Sequence, residues 1–389
     1  MHFFVRRITI FNDKNRTSEF WLQKGSGKMD ITKFDKNFAA AAVEKDGKKR
    51  FFLPCAPFKL YGGLYEAGAG FVRMPLGVAA GVSDGVHFLA ANGAGLRLNF
   101  TTNSKTLRLY VRESYFCRMR HMALTGSSGF ILCSREGAEK KSVLRGVLCP
   151  EWNFCDEFEV AVNLDGELRD YILHFPLYSS VASLAIELDG DAYLGEGTGY
   201  KGVPPVLYYG SSITQGGCAS RADNSYEDLI CERTGVDYIN LGFSGNGKAE
   251  DNMADYLRGV DCSVFVCDYD YNAPTPEYLA ATHERLYKRY REVKKDTPIV
   301  FVTRPESSCV NDDANKRAEI IYATYEKALK KGDENVYFVD GREFFPAELK
   351  QRCQVDGCHP TDLGFYFMAD KIGGVVENIL HKRRIKEVD

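Results

Sequence analysis

Hydrophobic and polar positions change rhythm once along this chain of 389 residues, close to residue 200. Upstream the signal is alternation. Thr106-Leu107-Arg108-Leu109-Tyr110-Val111-Arg112, Glu157-Phe158-Glu159-Val160-Ala161-Val162 and Ser183-Leu184-Ala185-Ile186-Glu187-Leu188 place apolar side chains at roughly every second position, the period of a strand with one buried face. Asp165-Gly166 and Asp189-Gly190 are pairs of the kind that close hairpins, so consecutive strands are expected to run antiparallel. The pattern predicts a β-sandwich of jelly-roll type over residues 29–200.

Gly195, Gly197, Gly199 and Gly202, followed by Pro204-Pro205, suit neither helix nor sheet and mark a domain boundary. Over residues 201–389, short apolar runs at 206–209, 238–241, 264–267, 299–303 and 336–339 alternate with helical stripes at 226–233, 276–295, 311–331 and 363–381. Strands alternating with helices in this way predict a parallel sheet covered on both faces, a three-layer α/β/α domain.

The remaining bulk properties narrow the class. The first 28 residues mix basic, polar and Gly-Ser positions, and are expected to form a poorly packed extension, with Met29 as the natural start of the fold. A formal charge of -3 provides no basic field for nucleic acid. No apolar run reaches the roughly 18–20 residues of a membrane helix. The 12 cysteines are scattered, without a Cys-x-x-Cys pair, as in a cytoplasmic protein with reduced thiols, and they argue against a structural zinc. The expected partner is a small polar molecule; no metal or organic cofactor is implied.

Chemistry gathers where the predicted parallel strands end. Val206-Leu207-Tyr208-Tyr209-Gly210 delivers Ser211-Ser212 to the carboxyl end of a buried strand, where ligands bind on open α/β sheets. Ser and Gly also punctuate ordinary turns. A hydroxyl nucleophile needs a base, an orienting group and oxyanion donors. Asp356-Gly357-Cys358-His359 brings an acid and a histidine onto one loop, so that Asp356 could hold one imidazole nitrogen and leave the other to take the Ser212 proton. The alternative is a surface histidine beside a helix capped by Asp362. Leu241-Gly242-Phe243-Ser244-Gly245-Asn246-Gly247 is a Gly-rich loop after a strand, and Cys267-Asp268-Tyr269-Asp270-Tyr271-Asn272 ends in an amide that could donate to an oxyanion. Asp268 and Asp270 alone make a poor metal signature.

These four stretches, in this order, resemble the SGNH or GDSL-like hydrolases across the C-terminal half of the chain. The resemblance implies a flavodoxin-like α/β/α fold, with Ser212 as nucleophile, His359 as base and Asp356 as its orienter. It also implies an oxyanion hole made by the Ser212 and Gly245 N–H groups and the Asn272 side chain. Ser211 stands where Asp is more usual, and Asn272 lies in a looser version of its block. Thr214 takes the place of the second Gly of an α/β-hydrolase elbow, which argues against that fold. The N-terminal half resembles a β-domain that precedes some of these hydrolases and carries a Gly-x-Asp-Leu-Tyr-like motif, with Gly129-Phe130-Ile131-Leu132-Cys133 in its place.

Together these features predict a serine esterase acting on a short acyl group, foremost an O-acetyl on a carbohydrate or related polar alcohol. The rivals are a lipase or thioesterase for longer chains and a catalytically silent glycan-binding protein. The strand-rich half could equally supply a surface for a homo-oligomer.

Overall fold

The computed structural model describes residues 42–137, 141–152, 156–305 and 313–388. The extension expected at 1–28 and the first residues of the helix expected at 311–331 lie outside them.

Alternation becomes structure in the N-terminal half because each strand there has a core side and a second side. The strands are β1 (Ala42–Lys45), β2 (Lys48–Phe52), β3 (Lys59–Tyr61), β4 (Leu64–Glu66), β5 (Gly70–Val72), β6 (Arg97–Thr102) and β7 (Thr106–Tyr115). They continue as β8 (Phe130–Glu136), β9 (Lys141–Leu148), β10 (Glu157–Asn163), β11 (Arg169–His174), β12 (Ser180–Asp189) and β13 (Leu194–Glu196). One antiparallel sheet runs β1-β2-β12-β7-β10 and a second runs β13-β6-β11-β8-β9, with β3 also on β6. Leu107, Leu109 and Val111 of β7 meet Leu98 and Phe100 of β6 and Leu184 and Ile186 of β12 in one shared core. Strand β8 is buried on both faces. Phe130 and Leu132 enter that core while Ile131 and Cys133 enter the core of the following half, which explains why this stretch reads as a continuous apolar run.

The turns require a correction. Asp165-Gly166 and Asp189-Gly190 do not close hairpins; they link β10 to β11 and β12 to β13, strands of different sheets. The Asp189 carboxylate is committed to Ser104 Oγ at 2.9 Å and to the Lys105 and Thr106 N–H groups at 2.6 and 3.1 Å. It anchors a neighbouring connection between the sheets. Asp46-Gly47, with φ of 52° and 71°, is the pair that joins β1 to β2, the doubly left-handed turn suited to a two-residue hairpin. The helices Leu76–Val82 and Asp84–Ala90 were not part of the sequence expectation.

In the C-terminal half the strands β14 (Val206–Gly210), β15 (Tyr238–Gly242), β16 (Val264–Asp268), β17 (Ile299–Val302) and β18 (Val336–Val339) pair in parallel in the order β15-β14-β16-β17-β18. Val206 and Tyr208 face the helices Tyr226–Thr234 and Asp362–Val388 through Ile230, Phe365, Met368 and Ile372. Leu207 and Tyr209 face the opposite layer, with Met253 and Leu257 of Asp251–Gly259, Leu279 and Leu286 of Pro276–Val293 and Ile321 of Ala314–Lys330. The expected α/β/α layering is therefore present; Asp251–Gly259 was missed. Pro276–Val293 starts where Thr275 accepts a 3.2 Å hydrogen bond from the Tyr278 N–H, with Pro at the first helical position, a preorganised helix start. Strand order reverses beside β14, so the loops after β14, β15 and β16 meet at a topological switch point.

The halves share a buried face. Arg97 of β6, with no side-chain exposure, donates to Asp237 Oδ1 at 2.7 Å and to the Tyr238 carbonyl at 3.0 Å. Its guanidinium lies 3.7 Å from the Tyr238 ring centroid.

Candidate active site

The loop after β14 folds back onto the strand ends. A Cβ at Gly210 would lie 1.9 Å from Thr214 Oγ1, and one at Gly242 would lie 2.2 Å from the Gln215 nitrogen; only glycine allows such an approach. Ser211 is buried and its hydroxyl accepts from the Ile213 N–H at 3.1 Å. Ser212 is half-buried, and its Oγ lies 2.9 Å from His359 Nε2. His359 Nδ1 in turn lies 2.8 Å from Asp356 Oδ2. The structure thus brings together the three residues that the sequence set 147 and 3 positions apart.

The 356–359 loop is shaped by the same acid. Asp356 Oδ1 accepts from the His359 and Cys358 N–H groups at 2.8 and 3.0 Å. Partial burial opposes ionisation, but these hydrogen bonds and the imidazole outweigh it and hold the carboxyl at about 2. An ionised Asp356 accepts a hydrogen bond from Nδ1–H, which leaves the Nε2 lone pair facing the Ser212 hydroxyl.

Three donors border this serine in the sequence expectation. Among the described residues, no protein acceptor takes the backbone N–H of Ser212 or of Gly245. Gly245, with φ of 69°, forms the tip of the loop after β15. Asn272 Nδ2 donates to the Phe243 carbonyl at 2.7 Å, which fixes the amide against that loop with one hydrogen of the NH₂ still to spare. The turn bearing Asn272 is clamped by buried Arg317, which donates to the carbonyls of Asp270 and Ala273 at 2.8 and 3.0 Å. Asp268 and Asp270 serve this framework separately. Asp268 accepts from Thr214 Oγ1 and the Tyr226 hydroxyl at 3.3 and 3.4 Å, and burial, then the neighbouring Asp270, raises its pKa well above the ordinary range. Asp270 accepts from the Arg304 N–H at 2.9 Å.

The N-terminal half supports the loops after β14 and β15, through residues the sequence reading did not single out. The Tyr178 hydroxyl donates to the Ser212 carbonyl at 3.0 Å. Gln215, fully buried, donates to Asn92 Oδ1 at 3.0 Å and accepts from the Ser244 N–H at 3.0 Å. Arg73 donates to the Gly242 and Asn240 carbonyls at 2.6 and 3.2 Å. A lone arginine inside Phe71-Val72-Arg73-Met74 is a sequence signal for a buried, hydrogen-bonded cation; the other contacts had no local signal. The His121 ring centroid is 5.5 Å from that of His359, and burial, then the charges of Asp356 and Cys358, pushes the nearby Cys218 thiol up to about 12.

Residues 204–377 match the GDSL-like lipase/acylhydrolase family, and residues 54–194 match GxDLY, the N-terminus of SGNH-hydrolase-type esterases. No match is found among curated proteins. A solved structure assigned as a GDSL-like lipase from Bacteroides ovatus ATCC 8483 is 28% identical, with a TM-score of 0.77, covering 85% of this chain and 98% of its own. The salicylyl-acyltransferase SsfX3 of a tetracycline biosynthetic pathway shares the fold at 18% identity and a TM-score of 0.70, with 84% and 96% covered. A family two carbohydrate esterase from Cellvibrio japonicus does so at 12% identity and a TM-score of 0.54, with 86% and 98% covered. Among the described residues no helix is long and apolar enough to cross a membrane.

Proposed function

The C-terminal half of this chain belongs to the GDSL-like lipase/acylhydrolase family, and from that premise we propose a serine ester hydrolase that removes a short acyl group, foremost O-acetyl, from a carbohydrate or related polar alcohol. The observation that carries the chemistry is the hydrogen-bonded series Ser212–His359–Asp356, at 2.9 and 2.8 Å. Ser212 Oγ attacks the ester carbonyl while His359 Nε2 takes its proton, and Asp356 stabilises the imidazolium. The Ser212 and Gly245 N–H groups and the Asn272 amide receive the oxyanion. His359 then protonates the departing alcohol, and a water, deprotonated in its turn by His359, releases the acid and restores Ser212.

The substrate class rests on the surroundings. Residues 213–219 are all buried, and packing of the N-terminal half against this loop favours a small acyl group. A Cβ at Gly85 would lie 2.0 Å from Asn246 Oδ1, so the helix Asp84–Ala90 lies on the Gly245 loop. Three residues on, Phe88 is 47% exposed and edge-on to Tyr115, an aromatic platform of the kind that stacks on sugar rings. The likeness in fold to a family two carbohydrate esterase agrees with this class.

A series of p-nitrophenyl esters from acetate to decanoate, with acetylated xylo-oligosaccharides alongside, tests the proposal. Acetate is expected to be the best chain length, with acetate released from the oligosaccharides. A maximum at eight or more carbons would replace it with a lipase or thioesterase. Absence of hydrolysis, together with no labelling of Ser212 by a phosphonate probe, would leave the silent glycan-binding alternative.

A further inference from the structure

His121, Cys218 and His359 converge from three separate segments of the chain. One ring nitrogen of each histidine and the Cys218 Sγ lie within 4.8 Å of one another. Cys218 sits in the nucleophile loop, buried, with a φ of 74°. His121 comes from the connection between β7 and β8 in the N-terminal half. Two imidazoles and a thiol form the mixed nitrogen and sulfur donor set that suits zinc-class divalent ions rather than magnesium or calcium. A tetrahedral ion, with nitrogen at about 2.0–2.1 Å and sulfur at about 2.3 Å, draws its donors somewhat closer than this. Side-chain rotation of His121 on its connecting segment can supply the difference. Three protein donors also leave a fourth position for water or for Ser212 Oγ.

We propose that a zinc-class divalent ion binds Cys218, His121 and His359 and thereby switches the hydrolase off. Both nitrogens of His359 are already committed, Nε2 to Ser212 and Nδ1 to Asp356. An ion that coordinates Nε2 takes the lone pair that would accept the Ser212 proton, with Asp356 then orienting the ligand from behind, as carboxylates do for metal-bound histidines. An ion that coordinates Nδ1 displaces Asp356. Either way the base is lost. The thiol binds as thiolate and its proton passes to solvent, so metal and proton exchange one for one at the sulfur. Inhibition rests on the reading of His359 as the base; binding of the ion does not.

Zinc chloride titrated calorimetrically into the full-length protein measures the site, and hydrolysis of p-nitrophenyl acetate with zinc, then with EDTA, measures its consequence. One ion per chain is expected, with hydrolysis lost as the site fills and restored by EDTA. His121→Ala and Cys218→Ala should each hydrolyse the ester as the parent does without metal, yet bind zinc at least about 10-fold more weakly and resist it in proportion. Ser212→Ala should keep the ion. Unchanged affinity in both single variants, no binding at all, or full hydrolysis by the zinc-saturated protein would overturn the proposal. If no form hydrolyses any ester, the functional reading fails, and the calorimetric affinities of the variants still decide whether the ion site exists.

Discussion

The Tyr178 hydroxyl, from the strand-rich half, donates to the backbone carbonyl of Ser212 at 3.0 Å. The same carbonyl accepts from the Gly217 N–H at 2.7 Å, so the peptide that bears Ser212 is pinned from two sides. Tyr178→Phe removes one pin and leaves the ring in place. A hydrogen bond of this kind is worth about 1 kcal/mol in stability, while a small displacement of a reacting group can cost up to about 10²-fold in rate. Tyr178→Phe should lower kcat on p-nitrophenyl acetate by about 10-fold or more, with KM little changed and only a modest shift in the denaturant midpoint. An unchanged kcat would mean that the contact only holds the halves together.

The charge on Asp356 bears on both rate and stability. Its carboxyl, held at about 2 against partial burial by the His359 and Cys358 hydrogen bonds, stays ionised through the whole range in which an imidazole changes charge. Asp356→Asn removes the negative charge that stabilises an imidazolium formed during the reaction, so kcat should drop by up to about 10⁴-fold. Because the folded pKa of Asp356 is depressed, its contribution to stability is present above about pH 4 and is lost as pH falls towards 2. Kinetics and thermal melts across pH check both statements.

Asn272 and Arg317 should separate chemistry from scaffolding. Removal of one oxyanion donor typically costs about 10²- to 10³-fold in kcat, and Asn272→Ala should show that loss with nearly the parent melting temperature. Arg317→Met strips the clamp from the Asp270 and Ala273 carbonyls and should lower both melting temperature and kcat. Equal kcat in Asn272→Ala and the parent would remove Asn272 from the oxyanion hole.

Glu113 points into the interior from β7, only 2% exposed. Burial pushes its carboxyl up to about 9. The folded protein keeps a proton that the unfolded chain has already released above its ordinary value of about 4.5, so this group makes the fold less stable as pH rises from about 4.5 to 9. Glu113→Gln abolishes that titration. The variant's melting temperature should vary less between pH 5 and 9 than the parent's, and it should exceed the parent's near the alkaline end. Parallel curves would show that Glu113 is ionised in the folded protein.

The local pattern carried the C-terminal half well. The five runs read as strands each became a strand of the parallel sheet, because a strand buried on both faces must be apolar throughout. Helix Asp251–Gly259 was overlooked since Asp251-Asn252-Met253-Ala254-Asp255-Tyr256 offers only a short and interrupted stripe. In the N-terminal half the alternating strands were legible, yet the Asp-Gly pairs misled. A turn residue encodes a local reversal, whereas Asp189 takes its partners from Ser104, Lys105 and Thr106, over 80 positions away.

By itself, the sequence determined what depends on neighbours along the chain: where the five parallel strands and the longer C-terminal helices form, and that Ser212, Gly245, Asn272, Asp356 and His359 follow strands of one parallel sheet. The tertiary structure alone decided which distant groups hold those loops still, from Tyr178 on Ser212 and Asn92 on Gln215 to Arg73 on Gly242. It also decided that His121 and Cys218 stand beside His359. The physical reason is that burial and periodicity are properties of a segment, while a hydrogen bond between residues 34 or 169 positions apart exists only once packing has chosen which faces meet.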